Sequence, residues 1–171
     1  PHLCPPSAPT PIRTTFVRET NTLLKSAAVL WVIWGVVHAL AGVLTISGDT
    51  ATAVKGIADA VEPALLEVNY PDAVGAIINQ HGWNLVWGGV VTIVGAVFIW
   101  RRSSVAIFVT AMIGGLLDIG YLLFIDLGGY NNLVPGTVMT IVSATAILLS
   151  LSAYYRELRP AAFHHSAAMI G

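Results

Sequence analysis

Four long apolar stretches decide what this chain can fold into. They lie at Leu24–Ile46, Gly82–Trp100, Ser104–Leu127 and Leu133–Tyr155. A bilayer core of about 30 Å takes roughly 20 helical residues to cross, and each stretch reaches or approaches that length. Runs such as "SAAVLWVIWGVV" lack the alternation of a barrel strand. Helices are therefore expected, since only helices and closed barrels satisfy their backbone in lipid. Composition agrees: 10% of residues are charged and the mean hydropathy is +0.76, against about 25% charged in soluble domains. The expected fold class is all-α integral membrane, a four-transmembrane-helix bundle of one domain. A cleaved leader is the competing reading of the first stretch, because Ala39-Leu40-Ala41 resembles a signal-peptidase site. The apolar run continues through "VLTI", so an uncleaved span is expected.

Charge placement sets the expected orientation. Arg13, Arg18 and Lys25 flank the first span, Arg101 and Arg102 fill the turn between the second and third, and Arg156 and Arg159 follow the fourth. The other connections carry Asp49, Asp59, Glu62, Glu67, Asp72 and Asp126 against the single Lys55. By the positive-inside rule both termini are cytoplasmic, in a plasma or inner membrane, and the 1–2 and 3–4 connections face outward. The formal net charge of −1 argues against a nucleic-acid partner, which requires a basic surface. Cys4 stands alone and forms no internal disulfide. Residues 1–22 are proline-rich and expected to be disordered, residues 23–156 form the membrane domain, and 157–171 a cytoplasmic tail. The adjacent His164 and His165 in that tail are expected to be solvated.

The 1–2 connection, 47–81, is too long for a turn and is expected to form a helical cap. Val54, Ile57, Ala58, Val61, Leu65 and Val68 recur near helical spacing, with Asp49 or Thr50 as N-cap. Pro63 should break or kink this helix. A second short helix is expected from Pro71, with Asp72 in its first turn. Such a cap either rests on headgroups or lies as a lid over a cavity.

Ionisable residues inside spans are costly and usually face the bundle interior. Two stand out, His38 in "WGVVHALAG" and Asp118 in "AMIGGLLDIGYLL". Each shares a helical face with small residues, and a rise of 1.5 Å per residue puts both roughly 3–5 Å outward of the span centres. Asn84 lies roughly 10 Å outward, and Thr137 and Thr140 lie near these levels. The inner halves are nearly apolar, which argues for a pocket open on one side rather than a transport path.

The chemistry expected is a His38/Asp118 acid–base pair acting on a lipophilic small molecule. Asn84, Tyr121, Thr137 and Thr140 would hold its oxygen functions, and Trp34 and Trp87 would pack between helices or line the pocket. Isomerisation, cyclisation or epoxide opening would suit such a pair. Acyl transfer would not, since no GxSxG motif is present. No cofactor is required by this reading. Three other readings stay open. The pair could be a structural inter-helix hydrogen bond. The chain could be an accessory subunit of a membrane complex or a homo-oligomer, docking through the stripe Gly88–Thr92–Gly95. His38 and His81 could ligate haem, or His81 with Glu62 or Glu67 a metal ion. Otherwise Gln80, His81 and Trp83 read as rim residues meeting water and headgroups, and Ser143 and Ser150 as bonded to their own helix.

Overall fold

A computed structural model describes residues 11–158, with side chains from 18 to 156. Among the described residues all regular structure is helical: α1 (Pro11–Ser47), α2 (Thr50–Ile57), α3 (Pro63–Leu66), α4 (Asp72–Trp100), α5 (Ser104–Tyr121) and α6 (Val138–Ala153). A π-helical turn, Leu122–Asp126, extends α5, and another, Tyr154–Leu158, extends α6. A third turn, Leu133–Thr137, leads into α6 through an extended Val134 and a cis Val134–Pro135 bond. Four helical stretches, Arg18–Ser47, Asp72–Trp100, Ser104–Asp126 and Leu133–Arg156, are long and apolar enough to cross a membrane. Large apolar side chains such as Val29, Leu44, Leu116, Phe124 and Leu148 lie exposed on the outside of the bundle. Such a surface belongs in lipid rather than water, consistent with a multi-pass membrane protein.

Two elements start differently from the sequence expectation. Helix α1 begins at Pro11, within the segment expected to be disordered. Proline is tolerated in a first turn, and the helix gains tertiary contacts early: Thr20 and Leu24 are already buried. Helix α4 begins at Asp72 and runs without a break to Trp100, so the second cap helix is the first part of a spanning helix. Its 29 residues extend about 43 Å, well beyond a hydrocarbon core. The cap is accordingly smaller than expected. Helix α2 is capped by Asp49, whose Oδ1 accepts the Thr52 N–H at 2.9 Å, and it ends at Ile57; Pro63 starts the separate turn α3. Leu65 and Val68 remain exposed. Residues 1–10 and 159–171, including Cys4 and the His164–His165 pair, lie outside the described residues.

The long helices form a ring in the order α1, α4, α5, α6, with α1 packed most extensively on α4. Glycine dictates that contact. Gly35 and Gly42 on α1 meet Gly89 and Gly82 on α4, so the same seven-residue spacing serves both antiparallel helices. A Cβ on Gly89 would sit 2.5 Å from the Gly35 carbonyl oxygen, and one on Gly35 2.6 Å from that of Gly89. Small residues permit this backbone approach where packing, not the hydrophobic effect, joins helices in lipid. The stripe Gly88–Thr92–Gly95 is not available to a partner as expected. Leu117 of α5 fills the space at Gly88, Thr110 that at Gly95, and Thr92 is fully buried.

Because α1 and α5 stand on the ring's diagonal, large side chains must bridge them. Trp31 does so against Gly114, where its six-membered ring occupies the space a Cβ would need. Both Trp31 and Trp34 are fully buried, in T-shaped contact at 5.8 Å. Ser143 and Ser150 donate to the carbonyls of Thr140 and Ala146 on their own helix, as expected. The antiparallel order gathers Arg18, Lys25, Arg101, Arg102 and Arg156 at one end. Asp49, Asp59, Glu62, Glu67, Asp72 and Asp126 collect at the other.

Candidate functional site

The diagonal bridge continues one turn beyond Trp31 into the two ionisable residues of the spans. Trp34 and His38 are four residues apart on α1, so their rings lie over the same face. They stack at 3.7 Å between centroids with 18° between planes. Asp118 on α5 reaches both. Its Oδ2 accepts the Trp34 indole N–H at 2.8 Å, and its Oδ1 lies 3.6 Å from His38 Nε2. The remaining ring nitrogen, Nδ1, is 2.8 Å from the Trp34 carbonyl oxygen. A carbonyl can only accept, so Nδ1 carries a hydrogen and donates it. That assignment leaves Nε2 as the atom where a proton arrives or departs, with Asp118 beside it. The separation exceeds a hydrogen bond of about 2.7–3.2 Å, so the two groups stand beside each other without a direct hydrogen bond.

His38 and Asp118 open onto a cavity of about 580 Å³ at the acid-bearing end of the bundle, while Trp34, expected at the pocket, is fully buried beneath them and does not line it. Every packed element except α3 contributes. Val37, His38, Ala41, Leu44 and Thr45 come from α1, and Thr52, Ala53, Gly56 and Ile57 from α2. His81 and Leu85 come from α4, Asp118 and Tyr121 from α5, and Pro135, Gly136 and Met139 from the start of the last span. The wall is thus mainly aliphatic, with His38, His81, Asp118 and Tyr121 as its ionisable points. Helix α2 roofs it, and the roof is tied down: Asn132 donates its N–H to Asp59 Oδ1 at 2.6 Å and its side-chain amide to the Asp59 carbonyl at 3.0 Å. The Ala60 N–H donates to the Tyr130 carbonyl at 3.1 Å. The roof's own helix is fixed by Asp49. Hydrogen bonds from the Thr52 backbone N–H and then its hydroxyl hold the Asp49 carboxyl below the ordinary carboxylate range.

The structure brings together His38, Asp118, Trp34 and Tyr121 of the residues expected at the site. Others stand elsewhere. Asn84 does not line the cavity; its Oδ1 accepts the Trp87 indole N–H at 3.1 Å along α4. Trp87 is 38% exposed on the outer face with Trp83, Val90 and Val94, because the glycine faces of α4 are taken by α1 and α5. Thr137 donates to Asp126 Oδ1 at 3.0 Å, and the Thr140 hydroxyl is buried without a partner. Neither threonine lines the cavity.

His81, read from the sequence as a rim residue or as a haem or metal ligand, lines the cavity. It lies four residues before Leu85, and this i, i+4 pair supplies the α4 wall. The helical register of Gly82 and Gly89 against α1 was the available signal, since it turns the neighbouring His81 toward the space below α2. Glu62 and Glu67 do not reach the cavity. Among the described residues no three histidine, cysteine or carboxylate side chains converge as a metal-binding group. No protein-family model matches this chain, and comparison with curated proteins and with solved structures found no match either.

Proposed function

We propose that this protein binds a lipophilic small molecule in the cavity beneath α2, and that His38 and Asp118 exchange a proton with it. The observation that carries the reading is the combination of a mostly aliphatic chamber of about 580 Å³ with an imidazole whose one uncommitted nitrogen stands beside a buried carboxylate. Ligand sites are typically apolar concavities of roughly 300–1,000 Å³ with a few convergent polar groups. Trp34 holds the pair in place from below, through stacking on His38 and its N–H bond to Asp118. A ligand oxygen near Nε2 would exchange a proton with His38, and Asp118 would stabilise the imidazolium so formed. Tyr121 and His81 would orient further polar atoms of the ligand, while Val37, Leu44, Leu85 and Met139 would enclose its apolar body. In the orientation expected from the basic residues, the cavity opens on the extracytoplasmic side of the membrane.

Replacing His38 by Ala and Asp118 by Asn, separately, tests this. Ligand retention should fall in both variants. If retention persists in both while thermal stability alone drops, the pair is an inter-helix fastening and the proposal fails.

A further inference from the structure

A second concavity lies at the opposite, basic end. Arg18, Glu19, Thr22 and Leu23 of α1 and Arg156 of the turn that extends α6 line a groove of about 540 Å³. Both arginines are exposed. Neither forms an ion pair with a carboxylate among the described residues. Other cations of this end are differently placed: Lys25 sits 5.2 Å over the Trp100 ring, and Arg102 adopts a positive φ of 67° in the turn between α4 and α5. We infer that the Arg18–Arg156 groove binds the phosphate headgroup of an anionic phospholipid in the leaflet that faces this end.

Four observations favour lipid phosphate. Two guanidiniums from different helices face one space, and their planar forks suit the bidentate geometry of phosphate oxygens. With Glu19 beside them the groove carries one net positive charge, matching the single negative charge of a phosphodiester. Leu23, at the start of the apolar span, gives the groove an apolar wall that a glycerol backbone would contact and a free phosphate ion would not. The half-exposed Trp100 and Tyr155 mark this end as the level of the headgroups, where such aromatics concentrate. Basic pockets between spans at this level are suited to anionic headgroups.

The test is lipid binding by the full chain in detergent, read by native mass spectrometry and thermal melting with added phosphatidylglycerol, phosphatidylcholine or inorganic phosphate. The wild type should retain phosphatidylglycerol in preference to phosphatidylcholine and be stabilised by it. Arg18→Gln with Arg156→Gln should weaken retention at least ~10-fold. Lys25→Gln with Arg101→Gln removes the same charge at the same end and should leave it nearly unchanged. Arg18→Lys with Arg156→Lys keeps the charge without the fork and should fall between; it serves where the glutamine pair does not fold. Equal losses in the two glutamine pairs would show diffuse attraction and overturn the assignment. So would equal binding of phosphatidylcholine, or stabilisation by inorganic phosphate matching that by phosphatidylglycerol.

Discussion

Substituting Gly89 by Ala should separate α1 from α4, and the cost follows from the geometry. The new methyl would lie 2.5 Å from the Gly35 carbonyl oxygen, 2.7 Å from the Ala39 nitrogen and 3.1 Å from the Ala39 Cβ, where ordinary contact begins at 3.4 Å. The two nearest atoms are backbone, so no side chain can swing away. The helices must part by about 0.9 Å at this point, and the contact at Gly42–Gly82 would loosen with it. Overpacking of this kind typically costs about 1–3 kcal/mol. Gly56→Ala is the matched control. Nothing lies within 4 Å of its Cβ position, and an alanine within α2 should be neutral or stabilising by about 0.5–1 kcal/mol. Thermal unfolding in one detergent compares the two. Equal stability of Gly89→Ala and wild type would refute the close-packed α1–α4 interface, and a strongly destabilised Gly56→Ala would refute the open space beside Gly56 on the cavity side of α2.

Two further outcomes follow from the bridge and the roof. Trp34→Phe should destabilise more than Trp31→Phe in the same melting assay. Trp34 loses a hydrogen bond to a buried carboxylate, about 1.5–3 kcal/mol, whereas the Trp31 N–H has no hydrogen-bond partner among the described residues; the reverse order would contradict the bridge. Asp49, held below the ordinary carboxylate range, stabilises the start of α2 above its unfolded-state value. That contribution should vanish as pH falls through the lower folded-state value. The protection of the α2 amides, taken as the exchange rate relative to the intrinsic rate at each pH, should therefore fall in acid in the wild type but not in Asp49→Asn, and identical protection profiles would exclude Asp49 as the cap.

The number of helices and their apolar character were legible because a hydrocarbon solvent leaves the sequence few alternatives. His38 and Asp118 were legible for the same reason, as ionisable groups where such groups are costly. Rotation about each helix axis was not. Asn84 and His81 are three residues apart, and only the register set by Gly82 and Gly89 against α1 decides which of them faces the cavity. The stripe Gly88–Thr92–Gly95 misled because glycine signals a close approach without saying to what; here α5 of the same chain takes it. Trp34 was expected at the pocket for its depth. Its particular function, bonding the carboxylate while stacking on the imidazole, depends on α1 and α5 meeting across a diagonal, which no local pattern records. A lid was one of the two placements expected for the cap, but the tie that holds it escaped for a similar reason, since Asp59 and Asn132 are bonded across 73 residues of sequence.

The central claim is that the cavity beneath α2 holds a lipophilic molecule, and filling the cavity tests it most directly. Ala41 lines the chamber one turn beyond His38, and Ala41→Phe would place a ring in the chamber while His38, Asp118 and Trp34 are all retained. Small molecules extracted from the purified wild type and variant should be compared by mass spectrometry. A lipophilic compound retained by the wild type and lost from a folded Ala41→Phe protein is the predicted result. The same complement of bound molecules in both would contradict it.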